Sequence, residues 1–205
     1  MPRITVERLM VGGMAVNCYI VENADTHACL IVDPGADAQR IMQRVGQRMP
    51  AAVLLTHGHF DHIGAVDEIC LHYGIPLYMH EADAVKLGDP EANVSALFGA
   101  SLVQHTKPVL LQGGDHVELA GLVLEVLHTP GHSAGSCCYL LPDGQGVLTG
   151  DTLFAHGYGR TDFPDGDFGQ LRESLRLLFH LTPKMIAYPG HEALGFVGRD
   201  AAEEA

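Results

Sequence analysis

At 205 residues, with 47% apolar and 18% charged side chains, the chain can bury a substantial core within one ordinary domain, and this composition argues against disorder. Its formal net charge of −13, from 12 basic and 25 acidic residues, counts against nucleic acid and anionic membrane surfaces as partners. With no apolar run of the roughly 18–20 residues that a membrane span needs, and a start (MPRITVERLM) unlike a signal peptide, the expected location is the cytoplasm.

Apolar runs at 4–10, 18–21 and 29–32 predict three strands. The last stops at Asp33-Pro34-Gly35 and is apolar enough to be buried on both faces. Asp37 is placed to cap a helix carrying Ile41, Met42, Val45 and Met49 on one face and ended by Pro50. A buried strand at 51–55 leads into a loop at 56–62. A second helix, with Ile63, Val66, Cys70 and Tyr73 on one face, stops at Gly74 before a strand at 75–79. The polar stretch 81–101 reads as irregular with one short helix. Strands follow at 117–119, 122–127, 137–141 and 147–149. A helix through Phe168, Leu171, Leu175 and Leu178, with Pro183 beyond its end, precedes a last strand at 185–188. Two strand-rich halves, each followed by helices, predict two packed sheets with helices outside.

Five cysteines, Cys18, Cys29, Cys70, Cys137 and Cys138, are odd in number and form no Cys-x-x-Cys pair. A disulfide framework or thiolate metal site is therefore not expected. Cys137 and Cys138, adjacent on a strand, should face opposite sides of its sheet.

Thirteen histidines stand out, because imidazole binds metals and titrates near neutral pH. Thr56-His57-Gly58-His59-Phe60-Asp61-His62 places four ligand-type side chains within six residues. On a helix His57 and His59 would point about 200° apart. In a loop at a strand end they can converge. A helix starting near Ile63 would set its positive N-terminus beside Asp61. Thr129-Pro130-Gly131-His132, Thr149-Gly150-Asp151 and Tyr188-Pro189-Gly190-His191 share one form, a ligand-type residue beside glycine after an apolar strand. Four such strand ends opening on one edge would gather His57, His59, Asp61, His62, His132, Asp151 and His191. Imidazole and carboxylate without thiolate suit zinc, iron or manganese.

With this pattern the chain resembles the metallo-β-lactamase superfamily over about residues 4–191, all seven ligand positions being filled. The resemblance implies an α/β fold, an αββα four-layer sandwich forming a single domain over 1–205, with two divalent metal ions at one edge of the sheets. It implies that His57, His59 and His132 hold one ion, that Asp61, His62 and His191 hold the other, and that Asp151 bridges them. Zinc is the first expectation, with iron or manganese as alternatives. A metal-bridging hydroxide would then be the nucleophile, because metal-bound water loses a proton near neutral pH. Asp61 and Asp151 become the catalytic carboxylates, Asp61 orienting the nucleophile.

Gly150-Asp151-Thr152-Leu153-Phe154, followed by Gly159-Arg160-Thr161-Asp162-Phe163, is similar to the glyoxalase II group. That likeness implies hydrolysis of S-2-hydroxyacylglutathione-type thioesters, so the expected partner is a small-molecule thioester. Arg160 is expected either to clamp a substrate carboxylate through two bonds or to pair with Asp162. His156 is expected on an exposed loop rather than lining the pocket, and Tyr158 either points into the pocket or lies at the surface. Only fourteen residues follow His191, too few for the group's C-terminal helical domain, and Ala193 stands where the group has tyrosine. The expectation is a small, single-domain, glyoxalase II-like thioesterase not tied to glutathione. Persulfide dioxygenases resemble the same segment and would use one iron on His57, His132 and Asp151, so an oxidoreductase stays open as the alternative. A β-lactamase is disfavoured, since aspartate fills position 151 where those enzymes commonly carry a zinc thiolate.

Overall fold

The computed structural model describes residues 2–181 and 185–197. Pro183, expected beyond the end of the long helix, lies outside the described residues, as do Met1 and residues 198–205 of the expected single domain.

The first sheet takes six strands in chain order: β1 (Ile4–Val11), β2 (Val16–Asn23), β3 (Ala28–Val32), β4 (Met49–Leu54), β5 (Leu77–His80) and β6 (Pro108–Leu111). β1, β2 and β3 pair antiparallel, and β3 through β6 run parallel. Parallel neighbours need crossovers. Helix α1 (Ala38–Val45) makes the first, and the single turn α2 (Phe60–Ile63) with α3 (Val66–Tyr73) makes the second. The second sheet contains β7 (His116–Leu119), β8 (Leu122–His128), β9 (Cys137–Leu140), β10 (Val147–Gly150), β13 (Ile186–Pro189) and β14 (Gly195–Phe196). A short hairpin joins β11 (Leu153–Phe154) to β12 (Gly157–Tyr158), and α4 (Phe168–Phe179) follows it.

Side-chain alternation builds the layers, because successive residues of a strand face opposite sides of its sheet. Cys18 and Ile20 of β2, and Cys29 and Ile31 of β3, pack with Ile41, Val66 and Ile69 of the outer helices. Their neighbours Tyr19, Val21, Leu30 and Val32 pack between the sheets against Leu122, Leu124 and Tyr139. Beyond the second sheet, Cys138 and Val147 meet Leu171, Leu175 and Leu178 of α4. The result is the αββα sandwich expected from the sequence. Cys137 and Cys138 do face opposite sides, one between the sheets and one under α4. No helix among the described residues is long and apolar enough to cross a membrane.

Several elements differ from expectation. α1 stops at Gly46, and Met49, expected on its face, opens β4 instead, opposite Ala28. Pro50 lies inside that strand at a register shift, a place that tolerates a residue with no N–H to donate. Asp37 does not cap α1 with its side chain; its carboxylate accepts from the Gly12 N–H at 3.0 Å. The stretch expected to be irregular holds two 3-10 segments, Glu81–Leu87 and Ser95–Phe98.

Candidate metal centre

β9 is antiparallel to both β8 and β10, and β10 is parallel to β13, so β8, β10 and β13 all end on the same edge. The end of β4 is pinned to that edge from the other sheet. The Cys137 N–H donates to Thr56 O at 2.9 Å, and the Tyr139 hydroxyl donates to Leu55 O at 2.7 Å. Four loops leave this edge carrying His57–His62, His132, Asp151 and His191, and their ligand-type atoms converge. His57, His59 and His132 form one group whose donor atoms lie within 4.8 Å of one another; Asp61, His62 and His191 form another; and His57, His62 and Asp151 form a third between them. Asp151 Oδ1 lies 3.4 Å from His62 Nε2, while its Oδ2 lies 3.6 Å from His132 Nε2 and 3.4 Å from His191 Nε2.

Three imidazoles have their tautomers set by partners that can only accept, or that already donate elsewhere. His62 Nδ1 donates to Asp33 Oδ2 at 3.0 Å. The Thr56 hydroxyl donates to the same oxygen at 2.6 Å, so it can only accept from His57 Nδ1 at 3.2 Å. His132 Nδ1 donates to the Arg160 carbonyl at 2.7 Å. In its neutral form each ring therefore carries its proton on Nδ1 and presents the lone pair of Nε2, the arrangement a metal-ligating histidine requires, and Nε2 of His132 faces His59 Nδ1 at 2.9 Å. His57 Nε2, His59 Nε2, His62 Nε2 and Asp151 Oδ1 are buried without any hydrogen-bond partner. Buried polar atoms are rarely left so, because each costs desolvation without compensation. A pair of cations would satisfy His57 Nε2, His62 Nε2 and Asp151 Oδ1, and the donor set fits; His59 turns its other nitrogen, Nδ1, to the centre, against His132 Nε2.

The charges agree. Burial pushes His57 well below the ordinary histidine range, and its imidazole neighbours add to the shift. His59 is lowered to about 3, by burial and then by His132 and Lys86. Both rings are neutral and ready to ligate. For His62 burial opposes the charged form, but Asp151, Asp33 and Asp61 outweigh it and raise the group well above the ordinary range. Burial also opposes charge on His191, which contact with Asp61 and the field of Asp151 nevertheless raise. Burial alone would raise Asp61 and Asp151; His62 and the other imidazoles around them hold both carboxyls below the ordinary range.

Sequence reasoning missed two residues that hold this centre. Asp33, read only as the stop of a strand, adopts a left-handed φ of 48° and fixes His62, Thr56 and, through Thr56, His57. Asp83, fully buried, accepts from the Gly58 N–H at 2.7 Å, the Gly135 N–H at 2.7 Å and the Ser133 hydroxyl at 2.8 Å. It ties the His57–His59 loop to the loop after His132, and Lys86, itself paired with Asp165, lies 3.3 Å away. Gly190 is required for a different reason: a Cβ there would lie 2.2 Å from Asp151 Oδ1.

A cavity of about 280 Å³ opens over the centre, lined by His59, Asp61, His132, Asp151 and His191 on one side and by aromatic side chains on the other. Arg160 lines it too, but its guanidinium is already engaged, donating from Nε and Nη2 to Asp162 at 2.6 Å each and lying 4.4 Å over the Phe163 ring. The ion pair with Asp162, one of the two roles expected for Arg160, is present. His156 is exposed at the tip of the β11–β12 hairpin, and Tyr158 packs toward Phe168.

The sequence matches the family described as the Metallo-beta-lactamase superfamily over residues 11–191. It is 37% identical over 187 residues to the probable metallo-hydrolase YqgX of Bacillus subtilis (strain 168), covering 90% of this chain and 85% of that one. It is 31% identical over 202 residues to the hydroxyacylglutathione hydrolase GloC of Haemophilus influenzae, covering 96% and 95%. Among solved structures, the BLEG-1 B3 metallo-beta-lactamase superposes with a TM-score of 0.90 at 34% identity, covering 94% of each chain. TTHA1623 in a di-iron-bound form superposes at 0.80 with 31% identity, covering 93% and 94%. ETHE1 from Myxococcus xanthus superposes at 0.76 with 30% identity, covering 98% and 81%.

Proposed function

The chain belongs to the metallo-beta-lactamase superfamily, and from that premise we propose that it is a metal-dependent thioester hydrolase of the glyoxalase II-like kind. The observation that carries this reading is Asp151, whose carboxylate lies within 3.6 Å of imidazole nitrogens from both triads. A carboxylate so placed would be shared by two ions, one on His57, His59 and His132 and one on Asp61, His62 and His191. Imidazole and carboxylate favour zinc, and the di-iron form of a structural neighbour keeps iron in view. When bound, such ions supply Lewis acidity and a water acidified toward neutral pH.

The chain's own residues supply the rest. Asp61 lines the cavity and is placed to orient a water toward a substrate carbonyl. Asp33 and the Arg160 carbonyl keep His62 and His132 presenting Nε2. With a substrate seated against it, the aromatic wall would shield the reacting carbonyl from bulk water and strengthen the charge interactions around it. A thioester suits such a site because a thiolate leaves without needing a proton donor. The relative named a hydroxyacylglutathione hydrolase supports this choice. A mononuclear-iron persulfide dioxygenase on His57, His132 and Asp151 would leave the second triad without a use, although that triad converges as closely as the first.

Metal analysis paired with a thioester panel tests the proposal. About two transition-metal ions per chain, with thiol release, is the expected result. One iron per chain, with oxygen uptake on glutathione persulfide and no thiol release, would replace it with the dioxygenase. Turnover of a β-lactam alone would replace it with the activity in the name of the BLEG-1 neighbour.

A further inference from the structure

Resting on the thioesterase reading, we infer that the cavity selects an apolar acyl group over an anionic one. Its wall is Met14, Phe60, Val94, Phe98, Phe154 and Phe163. That wall begins at the ligand imidazoles themselves: Phe163 meets His59 edge-on at 5.2 Å, and Phe154 meets His191 edge-on at 6.2 Å. Phe60 and Phe98 pack at 5.0 Å, yet Phe98 keeps 50% and Met14 46% of their surface exposed. Apolar surface held open at the mouth of a reaction cavity is surface that an apolar ligand would cover with a gain in free energy.

The charges lining the cavity point the same way. Among the described residues that line it, Arg160 is the one permanent cation. Its Nε–Nη2 edge is occupied by both oxygens of Asp162, which offsets its charge, and its face lies on Phe163. This ion pair is exposed and individually weak. Even so, a carboxylate approaching that edge would compete with one tethered two residues away, which acts at high effective concentration. A second cavity of about 390 Å³ shares Met14, Phe60 and Asp61 with the first and continues along Val11, Gly12 and Leu102. It offers an aliphatic tail room, and among its described lining residues it presents no cation to an anionic one, its charged members being Asp37, 3.4 Å from Arg40, and the proposed metal ligand Asp61.

The experiment compares thioesters of one neutral thiol, N-acetylcysteamine, bearing acetyl, butyryl, hexanoyl, phenylacetyl and succinyl groups, with S-lactoylglutathione alongside. The expected result is a KM that falls up to about fourfold per added methylene, and a kcat/KM for butyryl at least tenfold above succinyl. A second readout is calorimetric binding of the non-hydrolysable hexyl and carboxypropyl thioethers of the same thiol. Hexyl should bind more tightly, and Phe98→Ala should weaken it at least fivefold. Tighter binding of the carboxypropyl thioether, or its selective loss in Arg160→Ala, would overturn the inference whatever the hydrolysis results. Hexyl binding of the expected kind without thiol release from any thioester would instead remove the thioesterase reading and leave the apolar preference standing.

Discussion

Asp151 is the residue on which both halves of the centre depend. With it removed, two cations would lie close together without a shared anion. Asp151→Ala should therefore lose hydrolysis and most bound metal while the circular dichroism of the fold is kept. A folded Asp151→Ala protein with full metal content would contradict the bridging role. Asp33 acts one step further out. Asp33→Asn turns an acceptor-only group into one that can present an N–H to His62 and Thr56, so the tautomers are no longer fixed. Metal affinity should fall about 10–100-fold, read by competition with a chelator. The seven ligand-type residues were legible in the sequence because each stands beside glycine, or within His-x-His-x-Asp-His, at a strand end. Asp33 was not, because Asp-Pro-Gly after an apolar strand reads as a turn whatever lies across from it. Its role exists only through the neighbouring strand β4, which no local pattern reports. The clamp role considered for Arg160 was open for a similar reason, since Asp162 is as close in sequence as any substrate could be in space.

At the scale of elements, the strands and helices buried on a regular face were legible, and those stabilised by a single partner were not. β2 and β3 show as short apolar runs buried almost throughout, and α4 shows by its helical spacing. β6 is four residues long, begins at a proline and exposes Val109 and Leu110, so its short apolar run does not by itself mark it as a strand. It exists because β5 offers an open parallel edge. The end of α1 was placed too late because Met49 continues the helical spacing, while Gly46 at φ 60° breaks it and pairing with β3 claims the rest. The segment Glu81–Leu87 matters more than its polar sequence suggests, because Asp83 on it joins two ligand loops. Asp83→Ala would strand two N–H groups in the interior, leave the Ser133 hydroxyl with Ser136 and leave Lys86 with Asp165 alone. Removing one member of a buried charged network costs about 3–5 kcal/mol. For a chain of this length that is a Tm drop of roughly 6–20 °C by calorimetry. A drop under 2 °C would mean that the loops hold their positions without it.

For the whole molecule, charge acts in two opposed directions. The net charge of −13 works against the compact state by self-repulsion, so protonating carboxylates should relieve it and stabilise the fold as pH falls. Specific carboxylates work the other way. Glu22 is held below its ordinary range by His27 first and then by Arg48. Burial would raise Asp67, but the Thr106 hydroxyl at 2.6 Å and the N–H groups of His105 and Thr106 at 2.7 and 2.8 Å hold it low. A carboxyl whose folded value lies below its unfolded value contributes stability that is fully present above the unfolded value. That stability is lost as pH falls through the folded one. Unfolded Asp and Glu titrate near pH 4, so the loss due to these two groups begins below about pH 5. Hydrogen bonds to charged groups contribute about 1.5–3 kcal/mol each, whereas diffuse repulsion is screened beyond about 10 Å at 0.1 M salt. The local contribution should therefore win: Tm should stay flat or rise slightly from pH 7 to 5 and fall below that. Asp67→Asn should lower Tm at pH 7 and converge with wild type near pH 3, and Glu22→Gln should do the same. Measuring both with a chelator present keeps metal release out of the comparison. Parallel wild-type and Asp67→Asn curves across the whole range would show that Asp67 binds its proton equally in both states, and would return the acid limb to self-repulsion and other groups.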